Sequence, residues 1–321
     1  MLRFPRHWWW ARRFGAAVEM SPPTDVQRRW IALATVVGLE VALVLSWSAG
    51  FVGIRFAIDY APIFLILLWR SLVSGLVLLP FALLAGPRMQ GKDVLHQISF
   101  GAMAMSGYLA GYALAIAHSA PTGIVALITD MLPLAVALLS WPVLGQALTG
   151  RQWVGTGVGL LGVLIASGWS THSTESPVWV YILPVIGTTL LALATLLQKR
   201  SASSSMPVYQ SLCIQCLAAS IIFAGFAWNE GGVLPVMNWA FAGGILWLVF
   251  IATFAAWGLY YIALRKSTPA RVTAVLYVSP PVTMIWAWVM FNEPLSWAMA
   301  IGLGVSLIGI VIVAKGQKPA H

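Results

Sequence analysis

The chain has 321 residues, of which 60% are hydrophobic and only 8% charged. Ordinary soluble domains carry about a quarter charged residues, so a soluble enzyme or a nucleic-acid-binding domain is excluded despite a formal net charge of +9. A mean hydropathy of +0.87 points to a chain embedded in a bilayer.

A helix needs about 20 apolar residues to cross the hydrocarbon core. The sequence predicts ten such stretches, at approximately 31–56, 62–85, 97–118, 120–141, 152–169, 178–198, 206–228, 240–264, 270–291 and 297–314. Residues 1–30 form a basic, aromatic segment. It lacks the apolar core and small-residue cleavage site of a signal peptide. Its arginines and tryptophans suit the anionic inner leaflet. With ten spans and a cytoplasmic N-terminus, every Lys and Arg except Arg55 and Arg70 falls on the inside. That is the asymmetry of the positive-inside rule, and it places both termini in the cytoplasm.

Within the spans, polar and aromatic residues recur at one depth. Span one carries Glu40 and Trp47, seven apart and therefore on one helix face. Span two carries Arg70, and span four carries Asp130 three residues before Pro133. At about 1.5 Å per residue, Glu40, Arg70 and Asp130 share a layer near the midplane. A charge there costs about 2.5–3.5 kcal/mol on insertion scales, so each is expected to face the bundle interior or a water-filled cavity. Arg70 is expected to neutralise Asp130 or Glu40 as a structural ion pair. Pro133 removes a helix hydrogen bond and frees the Thr129 carbonyl, and a carboxylate beside a broken backbone suits a substrate amine or a coupling cation. Glu40, in a desolvated site, has the properties of a proton carrier.

Most tryptophans sit at span ends as interface anchors. Trp47, Trp257 and Trp286 do not, and Tyr277 lies at mid-span two residues before Ser279, Pro280 and Pro281. The double proline must interrupt span nine. A cavity lined by Trp47, Tyr108, Tyr112, Trp257, Tyr277 and Trp286 would stack on flat solutes or hold a cation on its ring faces. Cys213 and Cys216, in apolar surroundings without a second pair, read as small packing residues rather than a redox or metal site. Gly155, Gly157 and Gly159 in span five, and Gly302 and Gly304 in span ten, read as packing ridges.

The chain also repeats itself. Pro121, Ala126 and Pro133 fall on Pro269, Ala274 and Pro281 at one offset. Leu148, Gly155, Gly157 and Gly162 fall on Leu295, Gly302, Gly304 and Gly309 after a one-residue gap. Five spans per half is an odd number, so the halves have opposite orientation, as in many secondary transporters. The fold expected is an all-α membrane protein of ten transmembrane helices in two inverted five-helix repeats, 31–169 and 178–315. They are joined by an outer loop at 170–177 and followed by a cytoplasmic tail at 316–321. Tyr112 and Tyr260, a matched pair, are expected at opposite gates.

The motifs LSWSAGFVGIRFA at 45–57, Pro62-x7-Arg70, ALRKSTPARVTAVLYVSPP at 263–281 and NEPLS at 292–296 occur in order. From about residue 30 onward the chain resembles the ten-helix EamA-type branch of the drug/metabolite transporter superfamily. It departs from the pattern at GQALT, 145–149, where Gln146 stands in place of a usual Glu. The resemblance implies a multi-pass carrier of the plasma (inner) membrane, exporting amino acids or related metabolites, with no cofactor and no metal. Asp130 would hold a substrate ammonium and the rings would cradle its side chain. Small multidrug members of the superfamily exchange protons through a glutamate in their first helix, and Glu40 loosely resembles it. A broad proton-coupled multidrug exporter is the alternative. An intramembrane enzyme is disfavoured by the lack of HExxH, a Ser–His pair or paired deep aspartates, and direct ATP drive by the lack of a phosphate loop. Two fused halves suit a functional monomer, with a small-molecule solute, lipid and protons as partners and no nucleic acid.

Overall fold

A computed structural model describes residues 25–145, 149–170, 176–200, 206–266, 272 and 275–315. Gln146, Leu148, Pro269, Arg271, Ala274 and most of the 170–177 loop lie outside the described residues, as do 1–24 and 316–321. The chain divides into two compact units, Met1–Glu40 and Val41–His321. Glu40 closes the first unit, on helix α1 (Asp25–Ala57), and is partly exposed.

Among the described residues all regular structure is helical. Seven stretches are long and apolar enough to cross a membrane, and Trp297–Val313 is a shorter apolar one. Within them the chain returns to the same irregularities twice. Helices α2 (Ile63–Leu84) and α9 (Val208–Asn229) each have 22 residues and start behind a proline, Pro62 or Pro207. A proline fixes φ near the helical value and lacks only an N–H that the first turn leaves unpaired. The two helices pack against each other.

Two 27-residue stretches follow, Gly91–Ala117 and Trp239–Arg265. The first runs from α3 (Gly91–Gly101) through a π-helical segment, Ala102–Tyr108, into α4 (Leu109–Ala117). The second runs from α10 (Trp239–Trp247) through a π-helical segment, Leu248–Ala255, into α11 (Ala256–Lys266). Such segments shift carbonyls off the α-helical ladder and frequently mark functional sites.

The next pair of helices is interrupted. Helix α5 (Thr122–Thr129) stops at Asp130, and α6 (Leu132–Leu144) restarts with Pro133 in its first turn. Tyr277 and Val278 form a turn before α12 (Ser279–Phe291), which has Pro280 and Pro281 in its first turn. The prolines thus start new helices rather than kink continuous ones, because the first turn needs no N–H from them. Both second segments end on a left-handed residue, Gly145 at φ 70 and Asn292 at φ 53, a common helix stop.

Helix α7 (Gly150–Ser170) packs along α13 (Trp297–Lys315). A methyl group at Gly162 would stand 2.5 Å from the Gly302 carbonyl, and one at Gly309 would stand 2.4 Å from the Gly159 amide. Ser306 Oγ donates to the Gly159 carbonyl at 3.0 Å. Gly157 and Gly304 meet nothing within 4 Å. The ridge therefore runs through Gly155, Gly159 and Gly162 against Gly302, Ser306 and Gly309, and the expectation for Gly157 and Gly304 is corrected. The reason is helical spacing: steps of four and three stay on one face, while a step of two turns to the far side. Helix α8 (Ile182–Arg200) packs against α6 and the first π-helical segment.

Candidate functional site

The broken helix places a carboxylate in the interior. Asp130 is 2% exposed. Its Oδ1 accepts a hydrogen bond from Trp47 Nε1 at 3.2 Å. Ser279 stands beside the same carboxylate but gives Oδ2 no hydrogen bond, and that oxygen is buried without a partner. Ser48 Oγ donates to the Ser279 carbonyl at 3.2 Å and contacts its hydroxyl at 3.1 Å. The two helix breaks therefore meet α1 at one level, the Asp130 break through Trp47 and the Ser279 break through Ser48. The Thr129 carbonyl released beside the break accepts from Thr188 Oγ1 at 3.3 Å.

Around the carboxylate runs a column of rings. Trp47 lies 5.9 Å from Tyr108, 5.4 Å from Trp257 and 5.3 Å from Tyr260 between ring centroids. Tyr108 and Tyr112 are 5.3 Å apart, and Phe51 joins Tyr112 at 4.8 Å. Tyr260 continues to Tyr261 at 5.6 Å. Such tilted and edge-on arrangements are those that aromatic quadrupoles favour. Tyr277 is buried, its hydroxyl beside Ser306 without a well-formed hydrogen bond, and it lies within electrostatic reach of Asp130.

Arg70 enters this column from α2 and is only 2% exposed. Its Nε donates to Thr253 Oγ1 at 3.1 Å, Nη1 to Tyr112 Oη at 3.0 Å, and Nη2 to the Ala252 carbonyl at 3.2 Å. Ala252 and Thr253 belong to the second π-helical segment. Among the described residues no carboxylate stands within ion-pair distance of Arg70. The pairing expected with Asp130 is therefore absent, because Tyr112, Tyr108 and Trp47 intervene and neutral acceptors take the guanidinium. The space enclosed by Trp47, Phe51, Arg70, Tyr108, Tyr112 and Trp257 is about 10 Å³, roughly the room of one water.

Larger cavities open at the two ends of α9. One, of about 630 Å³, is lined by Arg55, Asp59, His118, Glu230 and Glu293. The other, of about 320 Å³, is lined by Thr195, Gln198, Ser211, Tyr261 and Arg265. Val208 lines the second and Glu230 the first, and a helix of this length separates its ends by about 33 Å. At the first end Glu293 Oε2 accepts from the Thr122 amide at 2.7 Å and Oε1 from the Thr122 hydroxyl at 2.6 Å. Arg55 stands 3.6 Å from Glu293 and 2.9 Å from Asp59. Toward the second end Tyr260 Oη and Thr195 Oγ1 share a hydrogen bond of 2.7 Å.

Of the residues singled out in the sequence, Trp47, Tyr108, Tyr112, Trp257, Tyr277, Arg70 and Asp130 come together. Trp286 does not: its ring lies 6.0 Å from Trp247, and it lines none of these three cavities. Seven residues past Ser279, it keeps the same helix face but stands about 10 Å farther along α12. Glu40 falls in the other unit. Sequence reading passed over Ser279, Ser48 and Phe51 as site residues, and the hydroxyl beside the double proline was the available signal. Cys213 and Cys216 are free and buried, and the Cys213 thiol approaches the Gly75 carbonyl at 3.5 Å, a packing contact between α9 and α2.

Comparison with known proteins agrees with this architecture. The model of the EamA-like transporter family matches residues 34–168 and again 178–315. The chain is 25% identical over 294 residues to the "Uncharacterized inner membrane transporter YedA" of Escherichia coli K12, covering 90% of this chain and 94% of that protein. It is 26% identical over 300 residues to a protein of Streptantibioticus cattleyicolor named "Probable terminal-alkyne amino-acid exporter", covering 88% and 94%. A solved crystal structure superposes with a TM-score of 0.64 at 18% identity, over 88% of this chain and 97% of the other, a likeness of fold. Two family matches, together spanning most of the chain, and seven membrane-length helices among the described residues make this multi-pass membrane protein a member of the EamA-like transporter family, a transporter and not an enzyme.

Proposed function

We propose that the chain exports amino acids or related small metabolites across the plasma membrane as a secondary carrier. The observation that carries this reading is Asp130. It is a fully buried carboxylate with one unpartnered oxygen, enclosed by aromatic rings at the break of a membrane-buried helix. A substrate ammonium supplies the missing partner, and Trp47, Tyr108, Tyr112, Trp257 and Tyr277 cradle the rest of the solute. The amino-acid exporter among the relatives supports the substrate class.

In this reading ten spans form two inverted repeats, 31–169 and 178–315, with 1–30, 170–177 and 316–321 as N-terminal segment, outer joint and tail. The paired prolines, π-helical segments, helix breaks and left-handed stops described above support the repeat. Both termini are cytoplasmic, which puts the Arg55–Glu293 end outside and the Arg265 end inside. The halves rock about the aromatic column and open one end at a time. The Thr122–Glu293 contact and the Tyr260–Thr195 bond are the closures at the two ends. Glu40 couples the cycle to protons, Arg70 stays in the interior, and one chain suffices as a monomer.

Counterflow of labelled amino acids and metabolites in proteoliposomes, with and without a pH gradient, tests this. Saturable exchange of one class, with KM raised about tenfold or more in Asp130→Asn, is the expected result. If Asp130→Asn transports with unchanged KM, the ammonium assignment is wrong. If Glu40→Gln still responds to the gradient, Glu40 is not the proton carrier. Because the rings also suit flat cations, competition by many unrelated cationic compounds would instead favour broad multidrug export.

A further inference from the structure

We infer that Arg70 is the substrate-carboxylate site of this carrier, so that the transported solute must carry an anionic carboxylate as well as an amine. This deepens the amino-acid reading and rests on the same aromatic cavity. Four observations converge on it. Arginine is almost never fully buried unless paired, yet Arg70 is 2% exposed with no carboxylate in range among the described residues. A guanidinium has five N–H donors, and the three contacts to Thr253, Tyr112 and Ala252 use one on each nitrogen. One N–H on each terminal nitrogen is left over. A carboxylate that approaches the terminal nitrogens can accept from both, in the bidentate fashion a guanidinium allows.

The third observation is position. Arg70 is buried and lines the small cavity together with Trp47, Tyr108, Tyr112 and Trp257, so its guanidinium faces the interior rather than lipid.

The fourth is the counterpart helix. Arg70 stands eight residues after Pro62 in α2, and Gln215 stands eight residues after Pro207 in α9. Gln215 is also fully buried. Its amide Nε2 donates to Gln97 Oε1 at 2.6 Å, and its Oε1 accepts from Tyr261 Oη at 2.6 Å. A neutral amide is thus enough to tie this position to its neighbours where only packing is at stake. The full charge in α2 goes beyond that requirement, and an uncompensated buried charge is strongly destabilising. A substrate carboxylate compensates it.

The test uses the full chain in proteoliposomes with three probes that share a side chain: phenylalanine, phenethylamine, which lacks the carboxylate, and 3-phenylpropionate, which lacks the amine. Each is run as substrate and as competitor, beside the corresponding trios for leucine and tryptophan. The wild type is expected to prefer the amino acid over its amine by about tenfold or more in kcat/KM, the magnitude of one charge-assisted hydrogen bond. In Arg70→Gln the amino acid and the amine become equal, and in Arg70→Lys part of the preference returns. If Arg70→Gln does not yield a monodisperse protein, Arg70→Lys decides alone, through a raised KM for the amino acid with an unchanged KM for the amine. A wild type that moves the amines in preference to all three amino acids overturns the inference. So does an Arg70 variant that slows amino acid and amine in parallel, which is the signature of a structural role. Asp130→Asn separates the two readings: it removes the need for the amine, while discrimination for the carboxylate persists and still responds to Arg70.

Discussion

At the scale of single residues, the interior holds two ionisable side chains, Asp130 and Arg70, kept apart by aromatic rings. Trp47 is the hinge of this arrangement, donating to Asp130 while its ring touches Tyr108, Trp257 and Tyr260. Because Asp130 Oδ2 is buried without a partner, the carboxylate is a liability for stability that serves binding. Asp130→Asn is therefore expected to raise Tm in detergent while raising KM for amine-bearing solutes about tenfold or more. Thermal unfolding and counterflow on one preparation check both halves of that statement. The Thr129 carbonyl gives a complementary case. Thr188→Val removes its hydroxyl partner at 3.3 Å and leaves a buried carbonyl unsatisfied, at a cost of about 1–3 kcal/mol, to be read as a lowered Tm.

At the scale of elements, the α7–α13 pair is held by backbone contact rather than by large side chains. Gly162→Ala forces a methyl group to within 2.5 Å of the Gly302 carbonyl, and the helices must separate. Overpacking of that kind costs about 1–3 kcal/mol. Gly157→Ala meets nothing within 4 Å and gains about 1 kcal/mol of helix propensity. Opposite shifts in Tm for these two variants, five residues apart on one helix, are the expected outcome. Equal shifts would mean that the ridge is placed on the wrong face. The π-helical segments matter for a different reason, since the second supplies the carbonyl and hydroxyl that hold Arg70.

At the scale of the whole molecule, Glu293 from the turn after α12 holds the first turn of α5 through both an amide and a hydroxyl of Thr122. These residues lie far apart in sequence, one in each matched region of the family model, so the contact ties one region to the other beside the 630 Å³ cavity. Cross-linking a Thr122→Cys, Glu293→Cys double variant with a short reducible reagent is expected to stop transport, and reduction to restore it. Transport that continues in the cross-linked protein would show that this end does not need to open.

Much of the architecture was legible from composition and pattern. Membrane embedding, the apolar stretches, the recurring prolines and glycines and the family follow from local chemistry, because hydropathy and proline geometry act over a few residues. So did the membership of Trp47, Tyr108, Tyr112, Trp257, Tyr277, Arg70 and Asp130 in one interior, since mid-span polar and aromatic residues avoid lipid. What remained for tertiary structure was pairing and facing. Arg70 and Asp130 share a depth, but depth does not say which residues stand between them, and the rings of spans one and three do. Trp286 shares the helix face of Ser279 but packs against Trp247 rather than into the ring column. Gly157 and Gly304 fit the repeat but miss the contact. Depth along a helix is set by counting residues, whereas azimuth and partner are set by how separate helices pack. That packing, rather than the local sequence, kept the two groups of an expected ion pair apart.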